Sequence, residues 1–387
     1  MDEAHRDSHN PCSMVSLSRA VEFTKWSVIL VCTWPPSKGA TMCQTIRADI
    51  AWCLSFLSVF CLLIPLSFSI YKYRTDSIIM TQSTGLTCAC IMIIIKTLVL
   101  RIHRNKCQLL IDEMEEFINS CNEKEKQVLQ SYVDKCWIFY GCVTIINYMG
   151  AVPVIFGPFV YPHQRFPTFA VYPFPVETGI IAHIVFIHQC FTGLQCSAAF
   201  TIDCQMALLM WFAGARLEIL ARQIKHVDDP CKFRSFVQKH QRLLSYVNQV
   251  SGTMCYIALA TTFICSLASV MFSLQLVGNQ PLAIRMQYGP ATIVALVNLL
   301  ICAWPTENII RVCDLIGTNI YNTPWFEMSP KLSKGLIMIL QRTQRGIRVS
   351  IGGFLPALSF RFYASFLSAV FSYFTTIRLV IMSDTDL

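Results

Sequence analysis

The chain has 387 residues, of which 54% are hydrophobic and only 14% are charged. Soluble domains contain about 45–50% apolar and about 25% charged residues, so the composition excludes an ordinary soluble protein and predicts a membrane protein with several spans. The net charge is +8, but the basic residues are scattered between apolar runs, which argues against a nucleic-acid partner. The first twenty residues are polar, with no apolar stretch typical of a signal peptide.

Seven segments are apolar enough, over enough residues, to cross a bilayer as helices. The fourth would reach about 50 Å at about 1.5 Å per residue, so we expect it to project into water. The sixth is the shortest, and we expect Pro305 to break the helix after it. The predicted fold is an all-α membrane protein with one seven-helix domain over residues 1–387. Its predicted spans are Asp49–Ile70, Ser77–Leu100, Cys136–Phe156, Gly179–Trp211, Met254–Val277, Gln287–Trp304 and Phe354–Met382.

The distribution of Lys and Arg predicts the orientation of these spans, because basic residues accumulate on the cytoplasmic side. With the N-terminus inside, 24 of the 31 basic residues fall in inside segments, 4 in outside segments and 3 within spans. We therefore predict a cytoplasmic N-terminus and an extracellular C-terminus. Residues 1–48 and 305–353 are then cytoplasmic, and residues 157–178 form an extracellular loop. A G-protein-coupled receptor has the opposite orientation.

The sequence carries no catalytic signature and no pattern of metal ligands. It lacks a Gly-rich phosphate loop, an HExxH motif and a GxSxG motif, so neither an enzyme nor a cofactor is expected. None of the nineteen cysteines lies in a predicted outside segment, so we expect buried or free thiols rather than disulfides. His183 and His188 are adjacent to apolar residues near the predicted outer end of the fourth span, where a role in lining a pocket competes with ordinary helix-end packing.

The C-terminal part of the chain carries a more specific set of motifs. It contains Tyr321 and Trp325, a basic turn from Arg342 to Arg345, the triplet Gly352-Gly353-Phe354, and the sequence Ser372-Tyr373-Phe374-Thr375. This pattern resembles the C-terminal signature of insect odorant receptors. Weaker markers of the same family precede it, in the family's order: "TWPP" at 33–36, "YPFP" at 172–175, and Gln189 and Asp203 in the fourth span.

The resemblance implies a subunit of an odorant-gated, non-selective cation channel. In this family a ligand-specific subunit assembles with a shared co-receptor as a hetero-tetramer around one central pore. The co-receptor has a markedly longer second inside loop than residues 212–253 of this chain, so the chain resembles a ligand-specific subunit. The family further implies a plasma-membrane location in the dendrites of sensory neurons, a small volatile ligand and contact with membrane lipid.

The last span carries a polar face that the residues themselves predict. At about 100° per residue, Ser365, Ser368, Ser372, Thr375 and Thr376 lie within about 100° of each other. A face of hydroxyls suits either a pore or helix–helix packing in the membrane. The resemblance implies the pore, with the narrowest part at Thr376 and Val380. Arg361 shares this face near the inner end, where its positive charge would oppose cation flow.

The resemblance also implies a ligand pocket in the outer half of the bundle and a cytoplasmic subunit anchor. An odorant pocket is expected to be small and mostly apolar, with few polar groups. The candidate pocket residues are Met80, Asn147, Tyr148, Phe156, His183, Ile187 and Tyr288. The anchor includes an amphipathic helix over Lys331–Arg348, which alternatively lies on the membrane surface. The candidate anchor residues are Tyr321, Trp325, Leu336 and Leu340.

Three other functions compete with the odorant-gated channel. A gustatory receptor of the same superfamily shares the topology, but its Thr-Tyr-x-x-x-x-Gln-Phe-type ending is absent here. A receptor coupled to G proteins requires an outside N-terminus. A transporter would be expected to show internal repeats and charged groups at the midplane. No repeat is visible, and Asp203 is the only acid well inside a predicted span.

Overall fold

The computed structural model describes residues 15–160, 164–176, 179–224, 229–277, 282–344 and 358–385. At 160, 274, 277, 282–288, 290–291 and 380–385 the description covers the backbone alone. Within these ranges the chain forms eleven α-helices and one short 3₁₀ turn at Ile29–Val31. The helices are α1 Leu17–Ser27, α2 Met42–Lys72, α3 Ser77–Ile102, α4 Arg104–Ser120, α5 Glu123–Met149, α6 Val152–Val160, α7 Gly179–Gln223, α8 Pro230–Val277, α9 Leu282–Tyr321, α10 Pro330–Gln344 and α11 Phe360–Thr385.

Within the described residues, six helical segments are long and apolar enough to cross a membrane; they contain the first four predicted spans and overlap the fifth and sixth. They are Met42–Lys72, Ser77–Ile102, Glu123–Phe159, Gly179–Gln223, Pro230–Ser273 and Thr292–Tyr321. The structure thus confirms an all-helical protein with six apolar spans. The seventh predicted span falls on α11, which is not among these six within the described residues. Residues 354–357 of that span lie outside the described part.

Three helices are much longer than predicted. Helices α7, α8 and α9 contain 45, 48 and 40 residues, so residues 212–253 are mostly helical instead of forming a loop. Pro305 does not end the sixth span, because α9 continues through it to Tyr321. Proline is tolerated inside a membrane helix when neighbouring groups satisfy the freed backbone atoms. The third predicted span is not one continuous helix. Helix α5 ends at Met149, and after Gly150 and Ala151 the chain continues as the short helix α6.

Side-chain caps set several helix starts. Thr41 and Gln44 form a reciprocal capping box at the start of α2, with Thr41 N–H 2.9 Å from Gln44 Oε1. Asp76 Oδ1 accepts from the N–H groups of Ile78 and Ile79 at the start of α3. Asn122 and Glu125 form a second capping box at α5. These polar groups satisfy amide groups that the first helical turn leaves unpaired, and they fix where these three helices begin.

Helix α7 lies at the centre of the bundle. In its most apolar 18 residues, 89% are buried, and it packs against α5, α8 and α9. An ion pair crosses this core, with Lys96 Nζ on α3 2.8 Å from Asp203 Oδ2 on α7 and both side chains fully buried. Thr261 on α8 donates to the same carboxylate at 3.2 Å. One polar group from each of three helices therefore fixes their relative position inside the apolar core.

Candidate ligand-binding and pore site

The loop between α6 and α7 is held over the predicted outer end of the bundle by backbone and side-chain hydrogen bonds. Gln189 on α7 accepts from Thr168 N–H at 2.9 Å and donates from Nε2 to Tyr172 Oη at 3.2 Å. Val171 N–H donates to the Pro65 carbonyl of α2 at 3.0 Å. This loop contains most of the predicted lid 157–178, of which 161–163 and 177–178 lie outside the described residues. Gln189 thus links the described part of this loop to the central helix.

The structure places the predicted pocket residues on different surfaces. Asn147 is buried, with Nδ2 3.5 Å from Asn298 Oδ1 of α9. Tyr148 is half-buried and donates from Oη to the Ser27 carbonyl of α1 at 2.7 Å. Met80 is half-buried on α3. Tyr288 lies on α9 where only the backbone is described. Asn147 and Tyr148 therefore both point inwards, toward two different neighbouring helices.

The other three pocket candidates lie on the outside of the bundle in this single chain. Phe156 is 54% exposed and Ile187 is 66% exposed. His183 is exposed, and its Nδ1 lies 3.1 Å from the carbonyl of Gly179 in its own helix. His188, in contrast, reaches across to α2, with Nε2 3.0 Å from the Ser58 carbonyl. These positions leave the proposed roles of Phe156, His183 and Ile187 as predictions.

A buried amide next to Asn147 was not among the sequence candidates. Asn298 is 1% exposed, and its Nδ2 atom has no hydrogen-bond partner in the part of the chain that the structure describes. A buried N–H donor without a partner costs free energy unless a water or a ligand accepts from it. The Asn147–Asn298 pair therefore supplies a polar contact inside an otherwise apolar region between α5 and α9. A polar residue in the middle of an apolar span was the available sequence signal.

The hydroxyl face of α11 is not covered by the part of the chain that the structure describes. Ser365, Ser368, Ser372 and Thr376 are all exposed, whereas Phe366 and Val370 are buried, and α11 packs on α8 and α9. Thr376 Oγ1 donates to the Ser372 carbonyl at 2.9 Å, so its polarity is partly satisfied within the helix. Arg361 is also exposed. The side chain of Val380 lies outside the described part.

The predicted anchor region divides into an exposed and a buried part. Tyr321 is 67% exposed and Trp325 is 40% exposed. Leu336 is buried and Leu340 half-buried on α10, which packs against α9 within the same chain. The predicted amphipathic helix Lys331–Arg348 corresponds to α10, with residues 345–348 outside the described range. Within the described residues, the two aromatic side chains are thus partly or largely exposed, and the two leucines hold α10 against its own chain.

Comparison with known proteins assigns this fold to a family. A family model described as the 7tm odorant receptor matches residues 78–371, which is most of the chain. The protein is a helical membrane protein with the architecture of an odorant receptor. The chain belongs to the odorant receptor family.

Individual relatives agree with this assignment. The chain is 25% identical over 147 residues to odorant receptor 10 of Aedes albopictus, covering 37% of this chain and 38% of the relative. It is 24% identical over 151 residues to odorant receptor Or2 of Anopheles gambiae, covering 38% and 39%. The matched region therefore spans about two fifths of each curated relative.

Solved structures show the same fold over nearly the whole chain. The insect olfactory receptor OR5 of Machilis hrabei in complex with eugenol superposes with a TM-score of 0.81 at 14% identity, covering 93% of this chain and 98% of that one. A second structure of OR5 from Machilis hrabei gives the same TM-score and identity, covering 93% of this chain and 99% of that one. The fold is therefore shared despite the low identity.

Proposed function

We propose that this chain is the ligand-specific subunit of an odorant-gated, non-selective cation channel, assembled with a shared co-receptor chain as a hetero-tetramer. Family membership supports a receptor function. The observation that best supports a channel function is the exposed hydroxyl face of α11 around Ser372. A helix facing only lipid gains nothing from such a face, whereas four of these faces around an axis line an aqueous pathway.

The ligand in this proposal is a small volatile organic molecule that binds in the outer half of the bundle. Asn147 and Asn298 supply the polar contact for its orientation, and apolar side chains supply most of the binding surface. The lid tied down by Gln189 lies over the predicted outer end. The excess of basic residues on one side supports a cytoplasmic N-terminus, an extracellular C-terminus and seven spans that include α11. We propose the plasma membrane of a sensory dendrite as its location.

Expression with and without a co-receptor subunit tests this function. We expect odorant-evoked cation currents in cells that make both chains, and no currents in cells that make this chain alone. Cells that make the co-receptor alone are the control for ligands that act on the partner. An N-terminal epitope tag detected from outside intact cells, or no current across a broad odour panel at normal surface expression, would refute the proposal.

Cysteine substitution on α11 tests which face lines the pore. We expect Ser372→Cys channels to lose current when a charged, membrane-impermeant thiol reagent is added, because water reaches this face. Tyr373→Cys is the matched control, since the next residue of the helix lies about 100° away and is also exposed in the single chain. Equal inhibition of both variants, or inhibition of the parent channel to the same degree, would contradict the assignment of this face.

A further inference from the structure

A large apolar cavity lies between α1, α4, α5 and α7. Its volume is about 460 Å³, within the range of sites that bind small molecules. Its walls include Phe23 of α1, Met114 of α4, Trp137 and Gly141 of α5, and Trp211 of α7. None of the seven candidate odorant residues is among the described residues that line it.

The hydroxyl groups that reach this cavity are mostly engaged elsewhere. Tyr132 Oη donates to Glu218 Oε2 at 2.7 Å, and Tyr140 Oη donates to the Ile301 carbonyl at 2.9 Å. Thr24 and Ser27 donate to carbonyl groups of their own helix. The walls therefore present mainly carbon to an occupant, and the chemistry that fits them is a hydrocarbon chain.

The cavity reaches the surface of the bundle where α1 and α5 are exposed. Phe23 and Ile145 both line it and are 46% and 59% exposed. On α5, Ile138, Ile146 and Met149 are also each more than half exposed. In a membrane this apolar surface faces the hydrocarbon layer, so a lipid chain can enter from the side.

A basic side chain stands at one end of the cavity. Arg19 is an exposed residue that lines it, one turn before Phe23 on α1. It makes no ion pair with the other described residues. The adjoining backbone is fixed, because Gln130 Nε2 of α5 donates to the Val15 carbonyl at 2.8 Å. An unpaired guanidinium is suited to bind a phosphate.

The segment that precedes α1, residues 1–14, is a poor occupant for this cavity because of its charges. Residues 1–14 include Asp2, Glu3, Arg6 and Asp7, and burying such charges among carbon atoms is costly. We propose that the cavity binds one acyl chain of a membrane phospholipid, with the lipid phosphate held by Arg19. This site is separate from the odorant site and is a second ligand position on the same chain.

Filling the cavity tests the proposal with little risk to folding. A Cβ atom built on Gly141 meets no atom within 4 Å, so Gly141→Phe places its ring in the cavity without a backbone clash. The full-length protein is purified in mild detergent, and the phospholipids retained per chain are counted by native mass spectrometry. We expect Gly141→Phe to lose one retained phospholipid per chain. Gly252→Phe, at another open glycine outside the cavity, is expected to retain it.

A second variant tests the headgroup contact without altering the cavity. Arg19→Gln alters an exposed side chain. We expect it to lower phospholipid retention about tenfold, because hydrogen bonds from a charged donor to a phosphate are stronger than those between neutral groups. Equal retention by Gly141→Phe and the parent protein would overturn the proposal. A retained molecule without a phosphate, such as a free fatty acid or detergent, would overturn it too. Both outcomes leave the channel function untouched.

Discussion

Asp203→Leu is expected to destabilise the protein by about 3–5 kcal/mol, because it leaves the ammonium of Lys96 buried without a counter-charge. Both side chains are fully buried at 2.8 Å in the parent structure. Among the described residues, the remaining hydrogen-bond partner of Lys96 is the Ala199 carbonyl at 3.4 Å, which carries no charge to replace the carboxylate. The measurement is the melting temperature of the purified protein, together with labelling of the receptor at the cell surface.

Two further variants test whether the lost stability comes from a buried charge without a partner. The double change Lys96→Met with Asp203→Leu is expected to recover much of the lost stability, because no charge then stays buried. Lys126→Ala removes an exposed pair with Glu123 and is expected to leave stability unchanged. If Asp203→Leu melts and reaches the surface like the parent, the ion pair does not hold the three helices together.

Gly214→Leu is the second substitution with a large expected effect. Gly214 lies on α7 where this helix packs closely on α9 and α5. A Cβ atom at this position would stand 2.8 Å from Asn308 Nδ2 and 3.5 Å from Tyr132 Cε1. A leucine must push these groups away and disturb the Tyr132–Glu218 hydrogen bond of 2.7 Å. We expect a loss of about 1–3 kcal/mol in stability, measured as lower surface expression and a lower melting temperature.

The control for this substitution is an equal change at an open position. Gly252→Leu on α8 adds the same side chain where no atom lies within 4 Å. It also gains the higher helix propensity of leucine, so it is expected to match or slightly exceed the parent. Similar losses for both variants would show that the close approach of α7 to α9 is not what makes Gly214 sensitive.

The centres of the spans could be predicted from the sequence, but several helix ends could not. Apolar runs report the part of a helix inside the bilayer, and α8 continues beyond it as an amphipathic helix. The helical spacing of buried residues was present in the supposed loop, at Phe236, Leu243, Val247 and Val250. Pro305 misled the prediction because proline ends most soluble helices, whereas packing inside a bundle tolerates it.

In the candidate sites, too, some features could be predicted from the sequence and others could not. The hydroxyl face of α11 follows from helical spacing alone, and its exposure in the structure agrees with that pattern. The partners of Asn147 and Tyr148 depend on which helices meet, and single-sequence periodicity does not contain that information. The Lys96–Asp203 pair was signalled by two opposite charges inside apolar spans, since an isolated charge there is costly. The cavity beside α1 had no sequence signal, because it is a space between four helices.

The unbroken length of α7 has a mechanical consequence. Its 45 residues extend about 68 Å, more than twice the ~30 Å hydrocarbon layer, and none of them is a proline. Such a helix is stiff, and the Lys96–Asp203 pair holds it near its middle. A tilt of about 5° moves each end by about 3 Å at this length. If the proposed function holds, we expect substitutions near Gln223, far from any odorant, to change the odorant sensitivity of the channel.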